Sequence, residues 1–142
     1  MIVPDVNVLV YAFRADAPEH EAYAAWLNRT IGTEPIGLAD VILSGFVRIV
    51  THSRITTAPA PIARAVEFTE RLAESPRATW LTHGAPVWKQ FGGLAVEDPG
   101  IRGNLVPDAY IAALCLANGA RLATRDRGFA RFPGLRWFDP AQ

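Results

Sequence analysis

Short apolar runs alternate along this chain with longer stretches whose apolar positions recur at helical spacing. Ile2–Val3 reads as a first strand closed by Pro4, whose missing N–H suits the end of a ladder. A helical run from Val6 to Arg14 follows. Pro18 then opens a helix through Thr30 in which Tyr23, Trp26 and Leu27 repeat at i, i+3 and i+4, with Gly32 as its stop. Pro35–Leu38 is the next strand, and Asp40 is expected to cap a helix from Val41 to Thr51 carrying Ile42, Phe46, Ile49 and Val50 on one face. The spacing predicts a helix from Pro61 to Ala73, a strand over Ala78–Leu81 and a helix from about Ala85 to Phe91. The glycine-rich stretch GGLAVEDPGIRGN then reads as a loop. A helix from Asp108 to Asn118, apolar nearly all round and closed by Gly119, is expected to pack centrally. Arg121–Thr124 and Leu135–Phe138 complete the strands.

Strands alternating with helices predict a parallel sheet of about four to five strands covered on both faces, a three-layer α/β/α fold. No repeat, low-complexity tract or composition break divides the 142 residues, so one domain is expected over 1–142.

Four aspartates stand after a short apolar run or at the mouth of a helix: Asp5, Asp40, Asp108 and Asp126. Strand ends on one edge of a parallel sheet lie together however distant they are in sequence. Carboxylates gathered there repel one another unless a cation neutralises them, and a hard divalent metal is the natural occupant. Taken singly, each is explained by an ordinary turn, cap or helix-dipole role. Their recurrence at strand ends is what points to a site. Asn7, Asn104 and Thr124 lie within four residues of these acids and are candidates to orient a carboxylate or a water from behind.

Composition changes this picture little. Half the residues are hydrophobic, which excludes a disordered chain, and 14 basic residues balance 14 acidic ones, so no global field marks a polyanionic partner. Arginines concentrate late: Arg121, Arg125, Arg127, Arg131 and Arg136 surround the single acid Asp126. Arg48, His52, Arg102, Arg125 and Arg127 are candidate phosphate contacts, although each taken singly is better explained as a solvated side chain. Cys115, the one cysteine, excludes a disulfide and a thiolate metal site. No signal peptide or membrane-length apolar stretch is evident, and a soluble cytoplasmic protein is expected. His20, His52 and His83 lack zinc-site spacing, and no phosphate loop or nucleophile elbow is present. Trp26, Trp80, Trp88, Phe91 and Trp137 are candidates either for the core or for a protein-facing surface.

The stretches PDVNVLVYAF, LSGFVRIVTHSRI and GNLVPDAYIAALCLANGARLATRDRGFARFPGLRWFDP resemble PIN-domain ribonucleases of the VapC type, toxins of bacterial toxin–antitoxin pairs. GNLVPDA and TRDRGF at their mutual spacing are the most specific parts, and the likeness spans essentially the whole chain. The resemblance implies a PIN-like fold and a Mg²⁺- or Mn²⁺-dependent endoribonuclease acting on RNA, forming a homodimer and inhibited by a VapB-like antitoxin. It implies acidic metal ligands at Asp5, Asp108 and Asp126. One position departs from the pattern. Such proteins commonly carry a glutamate just before Phe-x-Arg, where this chain has Gly45 ahead of Phe46-Val47-Arg48. Asp40, five residues earlier, is the substitute candidate.

Two rivals differ in testable ways. A phosphatase or receiver domain also gathers aspartates around Mg²⁺ but needs a lysine after a late strand, and the only lysine is Lys89. A catalytically degenerate PIN-like module, binding RNA or protein without cleavage, is the other, with Gly45 as the mark of decay.

Overall fold

The computed structural model describes residues 1–142 in the order β1 (Ile2–Pro4), α1 (Val6–Phe13), α2 (His20–Thr33), β2 (Ile36–Leu38), α3 (Asp40–Thr51), α4 (Ile62–Ala73), β3 (Ala78–Trp80), α5 (Ala85–Glu97), α6 (Val106–Ala117), β4 (Arg121–Ala123) and β5 (Trp137–Phe138). Two 3₁₀ turns, Gly103–Leu105 and Arg127–Arg131, precede α6 and β5. The five strands form one parallel sheet in the order β3-β2-β1-β4-β5.

That order decides where a site can form. From β1 the chain steps outward through β2 to β3, then crosses back over to β4 and steps outward the other way to β5. Right-handed crossovers in opposite directions put α1–α4 on one face and α5–α6 on the other, giving the expected three layers. The reversal falls between β1 and β4, which pair through Val3 with Leu122 and Pro4 with Ala123. Pro4 sits at the last position of the central strand, and the Asp5 N–H makes the next bond, to the Ala123 carbonyl at 2.9 Å.

The 30 buried apolar residues form one continuous cluster. On the α1–α4 face Phe13, Phe46 and Phe68 meet with ring centroids 5.0–5.4 Å apart, joining α1, α3 and α4. On the other, α6 buries Ala109, Ile111, Ala112, Ala113, Leu114 and Cys115. The Cys115 thiol is pushed up to about 12, chiefly by burial. Gly37 lies in β2 because a Cβ there would meet Leu81 Cδ2 at 2.7 Å and Val3 Cγ2 at 3.0 Å. Gly119 takes φ of 61° and closes α6 in the left-handed region.

Several expected boundaries move: α2 begins at His20 rather than Pro18, α6 at Val106 rather than Asp108, and β5 at Trp137 rather than Leu135. Gly92 and Gly93 are helical, and α5 continues to Glu97 where a loop was predicted. Each glycine costs about 1 kcal/mol of helix propensity. Burying Leu94 two turns beyond buried Val87, on the side facing α6, returns roughly 1.5–3 kcal/mol. In α2, Gly32 does not stop the helix: the Thr33 hydroxyl donates to the Arg29 carbonyl at 2.9 Å and the Glu34 N–H to the Thr30 carbonyl at 2.8 Å. Asp40 is the first helical residue of α3, with Ala39 at the cap position, and its side chain makes no capping bond.

Candidate active site

The carboxyl ends of β1 and β4 open onto the crevice at the sheet's reversal, where ligands bind in open α/β folds. Asp5 follows β1 directly, Thr124-Arg125-Asp126 follows β4, and Asp108 sits in the first turn of α6. Asp5, Asp108 and Asp126 line a single cleft of about 470 Å³, together with Asn7, Tyr11, Gly45 and Arg48.

Asp5 is 5% exposed and accepts three hydrogen bonds. Its Oδ1 takes the Val6 N–H at 2.7 Å, capping α1, while its Oδ2 takes the Thr124 hydroxyl at 2.7 Å and the Asn7 amide at 3.0 Å. Thr124 is fully buried, and its Oγ1 also accepts from Asn7 Nδ2 at 3.1 Å and from the Asp126 N–H at 3.0 Å. Asn7 Oδ1 in turn accepts the Arg125 N–H at 3.2 Å. Asp126 uses Oδ1 to cap the following 3₁₀ turn through the Gly128 N–H at 2.7 Å. These bonds fix the acid after β1 to the acid after β4.

Burial pushes the Asp5 carboxyl up from the ordinary carboxylate range; the bonds from Thr124 and Val6 pull it down, and neighbouring Asp108 and Asp126 push it up again. Asp108 is likewise raised, first by burial and then by Asp126. Arg48 is the only cation among the cleft's lining residues. Three carboxylates against one guanidinium leave the cleft short of positive charge.

No three His, Cys, Asp or Glu side chains converge tightly enough to grip an ion by themselves. Mg²⁺ keeps several waters and is held by one or two carboxylates plus substrate phosphate. The all-oxygen donor set, buried Asp5 with half-exposed Asp108 and exposed Asp126 in one cleft, fits a hard divalent ion.

Not every predicted residue reaches the cleft. Asp40 is exposed and lines an adjoining depression with Ser44, Thr51 and Ile62, so it does not stand in for the acid missing at Gly45. Gly45 itself lines the acidic cleft. Asn104 and Arg102 are exposed around the turn before α6, outside the cleft. His52 caps the end of α3 and its Nδ1 accepts the Arg54 N–H at 3.0 Å, again outside. Arg127 is exposed at the start of the second 3₁₀ turn, and Arg125 pairs with Glu19. Of the five candidate phosphate contacts, only Arg48 lines the acidic cleft. Among the aromatics, Trp26 is buried while Trp80 and Trp88 are 54% and 61% exposed. Tyr11 was missed, although it lies one helical turn beyond Asn7 on the same face of α1.

A PIN-domain family model matches residues 2–135. The chain belongs to the PIN-domain family. It is 44% identical over 141 residues to the VapC ribonuclease Mb2897 of Mycobacterium bovis, covering 99% of this chain and 95% of that one. It is 36% identical to ribonuclease VapC33 of Mycobacterium tuberculosis, covering 99% and 98%. Among solved structures it matches VapBC2 from Rickettsia felis bound to a promoter DNA fragment, with a TM-score of 0.71, 21% identity and 98% of both chains covered. VapBC-1 from nontypeable Haemophilus influenzae matches with a TM-score of 0.67, 17% identity and full coverage of both chains. At these identities the structural matches speak for the PIN fold alone; the VapC relationship rests on the sequence relatives.

Proposed function

We propose that this PIN-domain protein is a divalent-metal-dependent endoribonuclease of the VapC type, a toxin that hydrolyses RNA phosphodiester bonds and is neutralised by a VapB-like antitoxin. The observation that carries the reading is the desolvated Asp5 carboxylate sharing one cleft with Asp108 and Asp126. The relatives named VapC ribonucleases supply the substrate class.

Asp5, Asp108 and Asp126 are the residues that would hold Mg²⁺ or Mn²⁺. Such an ion, when bound, polarises the scissile phosphate and lowers the pKa of the attacking water. The chain's own groups do the rest. Thr124, Asn7 and the Val6 N–H hold Asp5 in one orientation, so the cleft is organised before substrate arrives. Asp108, half-exposed in the first turn of α6, is placed to orient the attacking water and take its proton. Arg48 supplies the positive charge that a phosphate in the cleft requires, positioning the strand without reading its sequence. Homodimerisation and a cytoplasmic location accompany this reading, and no helix is long and apolar enough to cross a membrane.

The test is RNA cleavage by purified protein with Mn²⁺, with EDTA, and in an Asp108→Asn variant. Cleavage is expected only in the first case, with a loss of at least about a hundredfold in the variant. Full activity in the variant or in chelator refutes the assignment. Gly45 in the cleft wall favours one other reading, a degenerate PIN module that binds without cutting. RNA binding with neither divalent binding nor cleavage would select it.

A further inference from the structure

We propose that Arg125 is an RNA-phosphate-binding residue at the rim of the acidic cleft, and that Glu19 holds its guanidinium in reserve until a phosphate displaces it. The inference rests on the ribonuclease reading above.

Arg125 stands between Thr124, bonded to the Asp5 carboxylate, and Asp126, which lines the cleft. Its backbone needs no help from its side chain. Asn7 fixes the Arg125 N–H, Thr124 fixes the Asp126 N–H, and Asp126 fixes the turn that follows. The side chain is therefore free of any duty in shaping the loop.

Its guanidinium lies 5.4 Å from the ring centroid of Tyr11, and Tyr11 is a wall of the cleft. Its one ion pair holds it there: NH1 donates to Oε1 of Glu19, the N-cap residue of α2, at 2.6 Å. The pairs Arg14–Asp16 and Arg131–Asp98 each use two guanidinium nitrogens, whereas this one uses a single nitrogen. The two side chains are 46% and 30% exposed, so water screens the pair. A screened pair of this kind favours its closed form by only about 1.5- to 5-fold. A phosphate offers the fork two acceptor oxygens in place of one, the stronger arrangement for arginine. An RNA strand with its scissile phosphate among Asp5, Asp108 and Asp126 would bring a flanking phosphate to this rim. Glu19 is then an intramolecular competitor that lowers RNA affinity.

The test measures binding of a fluorescein-labelled, mixed-sequence single-stranded RNA dodecamer by anisotropy in EDTA, where cleavage is silent. Wild type, Glu19→Gln, Arg125→Ala and the double variant are compared. Glu19→Gln is expected to tighten binding about 2- to 5-fold and Arg125→Ala to weaken it. In the Arg125→Ala background, the Glu19 change should have little further effect. The salt dependence should steepen in Glu19→Gln by up to about 0.7 in log–log slope, as one more phosphate is neutralised without a rival carboxylate. Unchanged or weaker binding by Glu19→Gln overturns the proposal. Equal tightening with and without Arg125 also overturns it, since that is a general charge effect. A wild type that binds no RNA and cleaves none with Mn²⁺ fails the ribonuclease reading itself, and the reserve role falls with it. Wild-type cleavage with a silent Glu19→Gln fails the reserve role alone.

Discussion

Gly45 lets the acidic cleft be tested by addition. It lines the cleft with Asp5, Asp108 and Asp126, and a Cβ built on it meets Val6 Cγ2 at 3.2 Å, with Val6 Cγ1 next at 4.0 Å. Val6 is half-buried and can give by the few tenths of an ångström that contact needs. Replacing a mid-helix glycine by glutamate gains about 0.5 kcal/mol of helix propensity, which the Val6 contact and a fourth carboxylate in the cleft offset. The metal-free Gly45→Glu protein should thus melt close to wild type, or slightly below it at neutral pH. With saturating Mn²⁺ the order reverses. A tenfold gain in ion affinity from the added ligand is worth about 1.4 kcal/mol of fold stability by linkage. In a chain of this size that is about 4–6 °C in Tm. Differential scanning fluorimetry in EDTA and over a Mn²⁺ titration reads both arms. The same Mn²⁺-induced shift in Gly45→Glu and wild type would refute the placing of an ion beside Asp5, Asp108 and Asp126.

Two further outcomes follow from the same bonds. Asp5 and Asp108 are raised in the folded chain, which therefore holds protons that the unfolded chain has released above about pH 3.9. Their contribution to stability is full below that value and declines as pH rises through the folded values. In EDTA, urea midpoints of Asp108→Asn should fall less than wild type across this window; Mn²⁺ should flatten the wild-type decline, and parallel curves for the two proteins would contradict the coupling. Thr124→Val removes a buried hydroxyl with three partners and leaves the Asp126 N–H and an Asp5 lone pair unmatched, so urea denaturation should show a loss of about 2–4 kcal/mol. A loss under about 0.5 kcal/mol would mean that these bonds do not anchor the cleft.

The alternation of short apolar runs with helical periodicity was enough to fix a parallel three-layer fold, because buried parallel strands read as brief continuous runs. What it misjudged were places where local preference and tertiary packing disagree. Gly92-Gly93 and Gly32 are poor helix residues by propensity, and a reading without tertiary contacts ends helices there. Leu94 against α6, and the Arg77 guanidinium donating to the Thr33 carbonyl at the end of α2, offset those costs, and neither is visible until the elements are docked. Thr124 illustrates the converse. Its nearness to Asp126 marked it as a partner for that acid, yet its hydroxyl proton goes to Asp5, from the opposite end of the chain.

The error at Asp40 has a geometric cause that bears on the cleft itself. Asp5 and Asp126 follow β1 and β4 at the sheet's reversal, so backbone topology delivers them to the cleft, and Asp108 joins them from the first turn of α6. Asp40, the first residue of α3, has its direction set by the phase of that helix. Burial of Ile42, Phe46 and Val50 at i, i+4 and i+8 pins the rotation of α3 against the core. With that rotation pinned, Val41, Gly45, Arg48 and Ile49 fall on the stripe facing the cleft, while Asp40, Ser44 and Thr51 line the adjoining depression. One residue of offset is about 100° around the helix, which turns a carboxylate at position 40 away from a cleft that position 41 enters. Moving the acid five residues along α3 therefore does not conserve its role: five residues is about 500°, or 140° past a full turn. An acidic side chain on this helix can join Asp5, Asp108 and Asp126 only from the 41/45/48/49 stripe. Of those four, Gly45 has the least side chain to displace, and a glutamate there adds the missing negative charge without removing the cleft's one arginine.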